Sequence, residues 1–146
     1  MEQTIEFKIP DGYVFDKDNS TENVIRFKPI KKTITYEDIV KKLYPGKCYY
    51  INNNHTSEKQ ICQLLYLNKL MNVAKYLNGD WKPDFTDTNK QKWFIDYDSE
   101  ESILGTDFIF GVYRNSNVYF ESEELAKQAI EILGEEEVKK ALGIFE

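Results

Sequence analysis

Histidine occurs once in this chain, at His55, and cysteine only twice, at Cys48 and Cys62. That scarcity closes off several chemistries. A structural zinc site needs four nitrogen or sulfur ligands, usually in paired CxxC or Cys/His sets, and no such set is present. Nucleophilic catalysis needs a nucleophile beside a base, and neither cysteine sits in a recognisable setting for it. His55 lies in an Asn-rich loop before a helix and reads as a solvated residue near the cap. The two thiols, fourteen residues apart, read as buried and reduced rather than bridged. Glycine numbers seven, and none of these falls into GxGxxG or GxxxxGK[ST], so a standard phosphate loop is missing. No stretch approaches the roughly 18 apolar residues of a membrane span. The opening Met1-Glu2-Gln3-Thr4-Ile5-Glu6 is not a signal peptide, so a cytoplasmic location is expected.

Basic charge is also short where the chain ends. Residues 1–50 hold nine Lys/Arg against eight Asp/Glu, residues 51–100 six against seven, and residues 101–146 four against ten. The acidic excess therefore lies in the last third. A surface of that sign repels phosphate backbones, so no direct nucleic-acid contact is expected. Acidic helix faces serve solubility, and they also suit a basic patch on another protein.

What the chain does have is apolar and aromatic material. With 146 residues, 41% hydrophobic and 14% aromatic, it can bury the core of one ordinary domain. Thr4 to Ile9 alternates like a strand, Pro10-Asp11-Gly12 is a turn, and Val24 to Lys28 is a second strand ended by Pro29. Thr35 caps a short helix that Pro45-Gly46 stops, and Cys48 to Ile51 reads as a strand. Ser57-Glu58-Lys59-Gln60 is a capping box opening a long helix, with Ile61, Leu64, Leu65, Leu70, Met71, Ala74 and Leu77 at helical spacing and Asn78-Gly79 as its stop. Its apolar girth is wide. Either it lies under the sheet and the last helices together, which is the expected arrangement, or one face pairs with a second copy, so monomer and homodimer both stay open. Three antiparallel strands follow, at Lys92–Tyr97, Thr106–Tyr113 and Asn117–Phe120, with the acidic loop 98–105 joining the first two and Asn115-Ser116-Asn117 turning between the last two. Ser122 opens a helix closed by Gly134, and Glu135 opens a shorter one closed by Gly143.

The expected fold class is thus α+β: an antiparallel sheet of about three C-terminal strands, packed by the long central helix and two C-terminal helices, plus an N-terminal β-ribbon. Residues 1–51 form the ribbon and short-helix segment and residues 52–146 the α+β domain, unless the whole is one compact domain.

Between the long helix and the strands lies Trp81-Lys82-Pro83-Asp84-Phe85-Thr86-Asp87-Thr88-Asn89-Lys90. Pro83 and the Asp, Asn and Thr residues keep this stretch out of regular structure while it carries two rings and two carboxylates. Trp81, Lys82, Asp84, Phe85 and Asp87 are the candidate binding residues here. Glu123, Glu124, Glu135 and Glu136, at the starts of the last helices, are the candidate acidic contacts. Asp84, Asp87 and Asn89 lack the glycine and terminal glutamate of a calcium loop, so no metal is expected. No catalytic residue and no cofactor are expected either. The strand aromatics read mainly as core, because sheets that stack bases interleave Arg and Lys, and here only Lys92 and Arg114 are present.

Leu67 to Phe85, with its W-x-P-D-aromatic end at Trp81–Phe85, resembles a sequence run of small bacteriophage and prophage proteins. Phe120, Ser122, Glu124, Lys127 and Gln128 through Ile132, with Ala126 and Ala129 as the small residues, resemble their F-x-S-x-E-x-A-x-x-A helix in approximate spacing, and Ile9 to Thr21 resembles their I-P-x-G-Y-x-x-D-x-x-N-S-T opening. The resemblance implies a context rather than a reaction: a phage-encoded, non-enzymatic accessory protein in the bacterial host cell. Such a protein binds a host or phage protein, inhibition of a bacterial defence system among its roles, and has no membrane partner. The alternative is a protein that binds or sequesters a nucleotide-like signal with the Trp81/Phe85 loop. An enzyme using Asp84 or Asp87 is a third reading, and it requires a pocket with a carboxylate of raised pKa.

Overall fold

The computed structural model describes residues 8–30, 33–46 and 56–145, in two units, Met1–Thr33 and Ile34–Glu146. The expected strands at Thr4–Ile9 and Cys48–Ile51, and the question whether Cys48 lies near Cys62, fall wholly or largely outside the described residues.

In the first unit, β1 (Tyr13–Phe15) and β2 (Phe27–Pro29) pair antiparallel, Tyr13 opposite Pro29 and Phe15 opposite Phe27. The turn before β1 forms as expected: the Tyr13 amide donates to the Pro10 carbonyl at 3.1 Å, and Gly12 sits at φ +83°, where a Cβ would be strained. The second strand is shorter than Val24–Lys28. The polar stretch between the strands bonds to itself instead. Asp16 is buried, accepts from the Asn19 amide at 2.7 Å and lies 3.5 Å from the Lys28 amine, while the Ser20 hydroxyl donates to the Asp16 carbonyl at 2.6 Å. The Asn19 amide and the Lys28 charge hold the Asp16 carboxyl below its ordinary pKa.

The second unit is α+β. Its elements are α1 (Tyr36–Leu43), α2 (Glu58–Asn78), β3 (Lys92–Asp98), β4 (Ile103–Ile109), α3 (Glu123–Leu133) and α4 (Glu135–Ala141). The division between the units falls at Thr33/Ile34 rather than near residue 51, because α1 packs on α2. Asn72 of α2, itself buried, links the two helices: it donates to the Tyr36 hydroxyl at 3.2 Å and accepts from the Tyr44 hydroxyl at 3.1 Å.

Both expected caps on these helices form. Thr35 and Asp38 exchange side-chain and backbone bonds, and so do Ser57 and Gln60. Ser57→Ala is expected to cost about 1 kcal/mol, read as a lower denaturation midpoint with an unchanged slope. α2 ends at Gly79, whose φ of +58° favours glycine. It packs chiefly on α1, α3 and α4 and shares their core with Ile95 of β3; Leu70, Val73 and Ala74 are buried, whereas Leu64, Leu65 and Met71 stay exposed. No helix among the described residues is long and apolar enough to cross a membrane.

The C-terminal sheet differs from the expected three strands. It is a two-stranded hairpin in full register from Lys92 opposite Ile109 to Asp98 opposite Ile103. β4 starts three residues earlier than expected, because the acidic residues form a tight turn, with the Asp98 carboxylate accepting from the Glu100 and Glu101 amides at 2.8 and 3.1 Å. The third strand shrinks to a single bridge. Phe120 pairs with Trp93, on the far side of β3 from β4, through bonds of 3.1 and 2.8 Å. Beneath β3, Ile95, Val118 and Phe120 join Val73, Ala126, Ala129, Leu133 and Val138 in one core. Phe94 faces the other way by strand alternation and rests against Tyr119 at 6.1 Å.

Candidate functional site

The 81–90 loop is held by its own polar groups and by the back of β3. Asp84 accepts from both the amide and the hydroxyl of Thr86, at 2.8 and 2.6 Å, and Asp87 accepts from the Asn89 amide at 2.9 Å. Those bonds, led by the Thr86 hydroxyl, hold the Asp84 carboxyl below its ordinary pKa. This is the direction opposite to that required of a general acid. Lys92 is buried, and its amine donates to the Asp87 and Lys90 carbonyls, closing the loop from inside. It is therefore a structural cation and not part of a basic surface.

The lowered Asp84 pKa sets a sign. The group favours the folded loop while ionised, and that contribution is lost as pH falls through the folded-state pKa, below the ordinary aspartate range. Carboxyl NMR is expected to place the Asp84 midpoint below that of an unstructured aspartate; a midpoint at or above it would contradict the Asp84–Thr86 geometry.

Trp81 and Phe85 are half-buried, while Lys82 and Asp84 are exposed. Phe85 meets Tyr119 edge-on at 5.2 Å, and the Arg114 guanidinium lies 4.6 Å from its ring centre on a face. A cavity of about 380 Å³ opens there, lined by Pro83, Phe85, Arg114, Asn115, Ser116, Asn117 and Tyr119. A second, also about 380 Å³, lies on the other side of the 115–117 loop against Leu67, Leu70, Phe94 and Leu142.

The acidic candidates stand elsewhere. Glu123 accepts from the Thr106 hydroxyl at 3.2 Å and pairs with Lys127 at 2.7 Å, which lowers its pKa. Glu124 is exposed at the start of α3, its pKa lowered by its own backbone amide and the Ser122 hydroxyl. Glu135 and Glu136 are exposed at the start of α4, with Lys139 3.9 Å from Glu136. Among the described residues none of their hydrogen bonds or ion pairs reaches the 81–90 loop.

The most exposed rings are ones that the strand pattern assigns to the core. Phe108 leans on Trp93 at 4.9 Å and meets Phe110 edge-on at 5.4 Å, and the chain continues outward through Val112 and Tyr113. Phe110, Val112 and Tyr113 are 51%, 66% and 79% exposed. Among the described residues β4 pairs only with β3, so its outer edge carries unpaired peptide groups. At the turn end of the hairpin, Asp96, Asp98, Glu101 and Asp107 line a shallow hollow of about 150 Å³ with Ile103. The readable signal was count: eight consecutive residues, Thr106 to Tyr113, hold more large apolar side chains than one face of a short strand can bury.

No protein-family model matches the chain, and no curated protein or solved structure is similar to it.

Proposed function

We propose that this protein acts by binding another protein, and that the open edge of β4 with the aromatic strip running on from it is the contact surface. In the context that the sequence resemblance implies, it is a phage-encoded accessory protein with no reaction of its own. It docks on a host or phage protein in the bacterial cytoplasm, and inhibition of a defence system is one form such docking takes. The observation that carries the reading is the coincidence of a strand edge unpaired among the described residues with Phe110, Val112 and Tyr113 in solvent. An extended partner segment can add to such an edge through main-chain bonds, its side chains taking up the exposed rings. The carboxylates around Ile103, together with Glu123 and Glu124, favour a basic partner and a fast encounter.

The test is capture from bacterial lysate with wild-type protein and with Phe110→Ser/Tyr113→Ser. Both positions are at least half exposed, so the thermal midpoint is expected to fall by no more than a few degrees while the captured protein is lost. Raising salt from about 0.1 to 0.5 M is expected to weaken capture, since exposed charges are screened. Equal capture by the variant, or no near-stoichiometric partner for wild type, would sink the reading. Sequestration of a small molecule is a second reading, and the cavity beside Phe85 favours it.

A further inference from the structure

We infer that the cavity between Phe85 and the 114–117 loop is a binding site for a small organic oxyanion, a carboxylate or phosphate on a flat apolar body, with Arg114 as its anchor. This site is separate from the β4 edge and stands or falls independently of it.

Several features converge on this class of ligand. Arg114 presents one guanidinium face to the Phe85 ring at 4.6 Å and makes no ion pair with any carboxylate among the described residues. Stacking on a ring fixes the plane of the guanidinium and leaves its N–H edge to meet two oxygens at once, the geometry in which arginine binds carboxylate or phosphate best. Asn115 and Asn117 also line the cavity, and their side-chain amides make no hydrogen bond among the described residues. They are within the lining as spare donors.

The loop that carries these groups is set in advance. Ser116 spends its amide and its hydroxyl internally: its amide donates to the Tyr119 hydroxyl at 2.9 Å, and its hydroxyl donates to the Val118 carbonyl at 3.0 Å and accepts from the Val118 amide at 3.2 Å. Little ordering is left to be done when a ligand arrives. The nearest loop acid, Asp84, is turned onto Thr86 and does not line the cavity. Pro83, Phe85 and Tyr119 supply the apolar wall. The volume, about 380 Å³, lies toward the small end of the range for small-molecule sites. Because Arg114 already covers a face of Phe85, the ligand's flat body rests on Pro83 and Tyr119 and does not sandwich the Phe85 ring.

Titration calorimetry and amide NMR on the full chain decide it, with adenosine 5′-monophosphate and indole-3-carboxylate as the two probes, and adenosine and inorganic phosphate as half-ligands. At least one probe is expected to bind below about 1 mM, shifting the amides of Phe85, Arg114 and Asn117, with each half-ligand weaker. Which probe binds tells a phosphate site from a carboxylate site. Arg114→Gln is expected to weaken binding at least about tenfold, the worth of a charge-assisted bond. Arg114→Lys, which keeps the charge and loses the fork, is expected to fall between the two. Phe110→Ser/Tyr113→Ser is expected to bind like wild type. The proposal is overturned if neither probe binds, if inorganic phosphate binds as tightly as the nucleotide, or if Arg114→Gln at an unchanged thermal midpoint binds within about twofold of wild type.

Discussion

Phe120→Ala is expected to remove about 3–5 kcal/mol of stability, a large part of the roughly 5–15 kcal/mol that a domain commonly has. Phe120 is fully buried and packs among residues of β3, α2, α3 and α4 in the single core of the second unit. Its backbone also makes the only two bonds joining the 118–121 segment to β3 among the described residues. Truncation therefore opens a cavity beneath the sheet at the point where the segment is pinned, and the surroundings cannot collapse without breaking that pin. At roughly 2–4 °C per kcal/mol, the thermal midpoint is expected to fall by about 6–20 °C. Phe110→Ala is the control. It removes the same ring from a half-exposed position and is expected to cost well under half as much. Near-UV circular dichroism during thermal unfolding reads both variants. Equal losses would mean that the core is not organised around Phe120.

The contrast between these two phenylalanines shows how far the chain could be read in advance. Local signals were legible. The exchanges at Thr35/Asp38 and Ser57/Gln60 need only residues three apart, and the helices they open follow where apolar spacing places them. The identity of the second strand partner was not. Asn115-Ser116-Asn117 has the composition of a hairpin turn, which would fold residues 117–120 back onto β4. Instead, buried Gly111 at φ +88° turns the chain off the β4 edge, and the closed Ser116 loop delivers Phe120 to the opposite side of β3. Strand pairing is decided by such long-range geometry, and alternation alone does not reveal which edge is used.

The candidate site divides in the same way. Proline, aspartate and threonine marked the 81–90 loop, and the loop forms with the bonds those residues favour. Lys92 misled because a lysine on a strand is ordinarily solvated, whereas here its amine spans two loop carbonyls. Arg114 gave no pattern at all. A lone arginine after an aromatic run acquires meaning only when Phe85, 29 residues away in the chain, is seen beneath it.

Asn78 is where helix, loop and sheet are tied together, and substituting it is expected to have the second largest effect. It closes α2, yet its side chain behaves as a peptide unit of a neighbouring strand. The amide donates to the Tyr119 carbonyl at 2.8 Å and the oxygen accepts from the Glu121 amide at 3.1 Å. This pairing occupies the flank of the 119–121 segment that faces away from β3, while the third strand stops at one bridge because the Ser116 hydroxyl holds the Val118 amide and carbonyl and Ser122 caps α3. Asn78→Ala leaves one carbonyl and one amide without partners; the Glu121 bond is exposed and the Tyr119 bond part-buried, so a loss of about 1–3 kcal/mol, mostly from the carbonyl, is expected. Asn78→Asp is expected to be as harmful or worse at pH 7. It keeps the acceptor for Glu121 but sets a carboxylate against the Tyr119 carbonyl and at the negative end of the helix. Protonation restores a donor, so the folded state of Asn78→Asp raises that carboxyl's pKa, and the recovered stability is present at low pH and lost as pH rises through it. Urea denaturation at pH 7 and at about pH 4.5 should therefore show the gap between Asn78→Asp and wild type narrowing on acidification, while the gap for Asn78→Ala stays constant. A gap for Asn78→Asp that does not change with pH would mean that the amide's bond to Tyr119 contributes nothing to holding the segment in place.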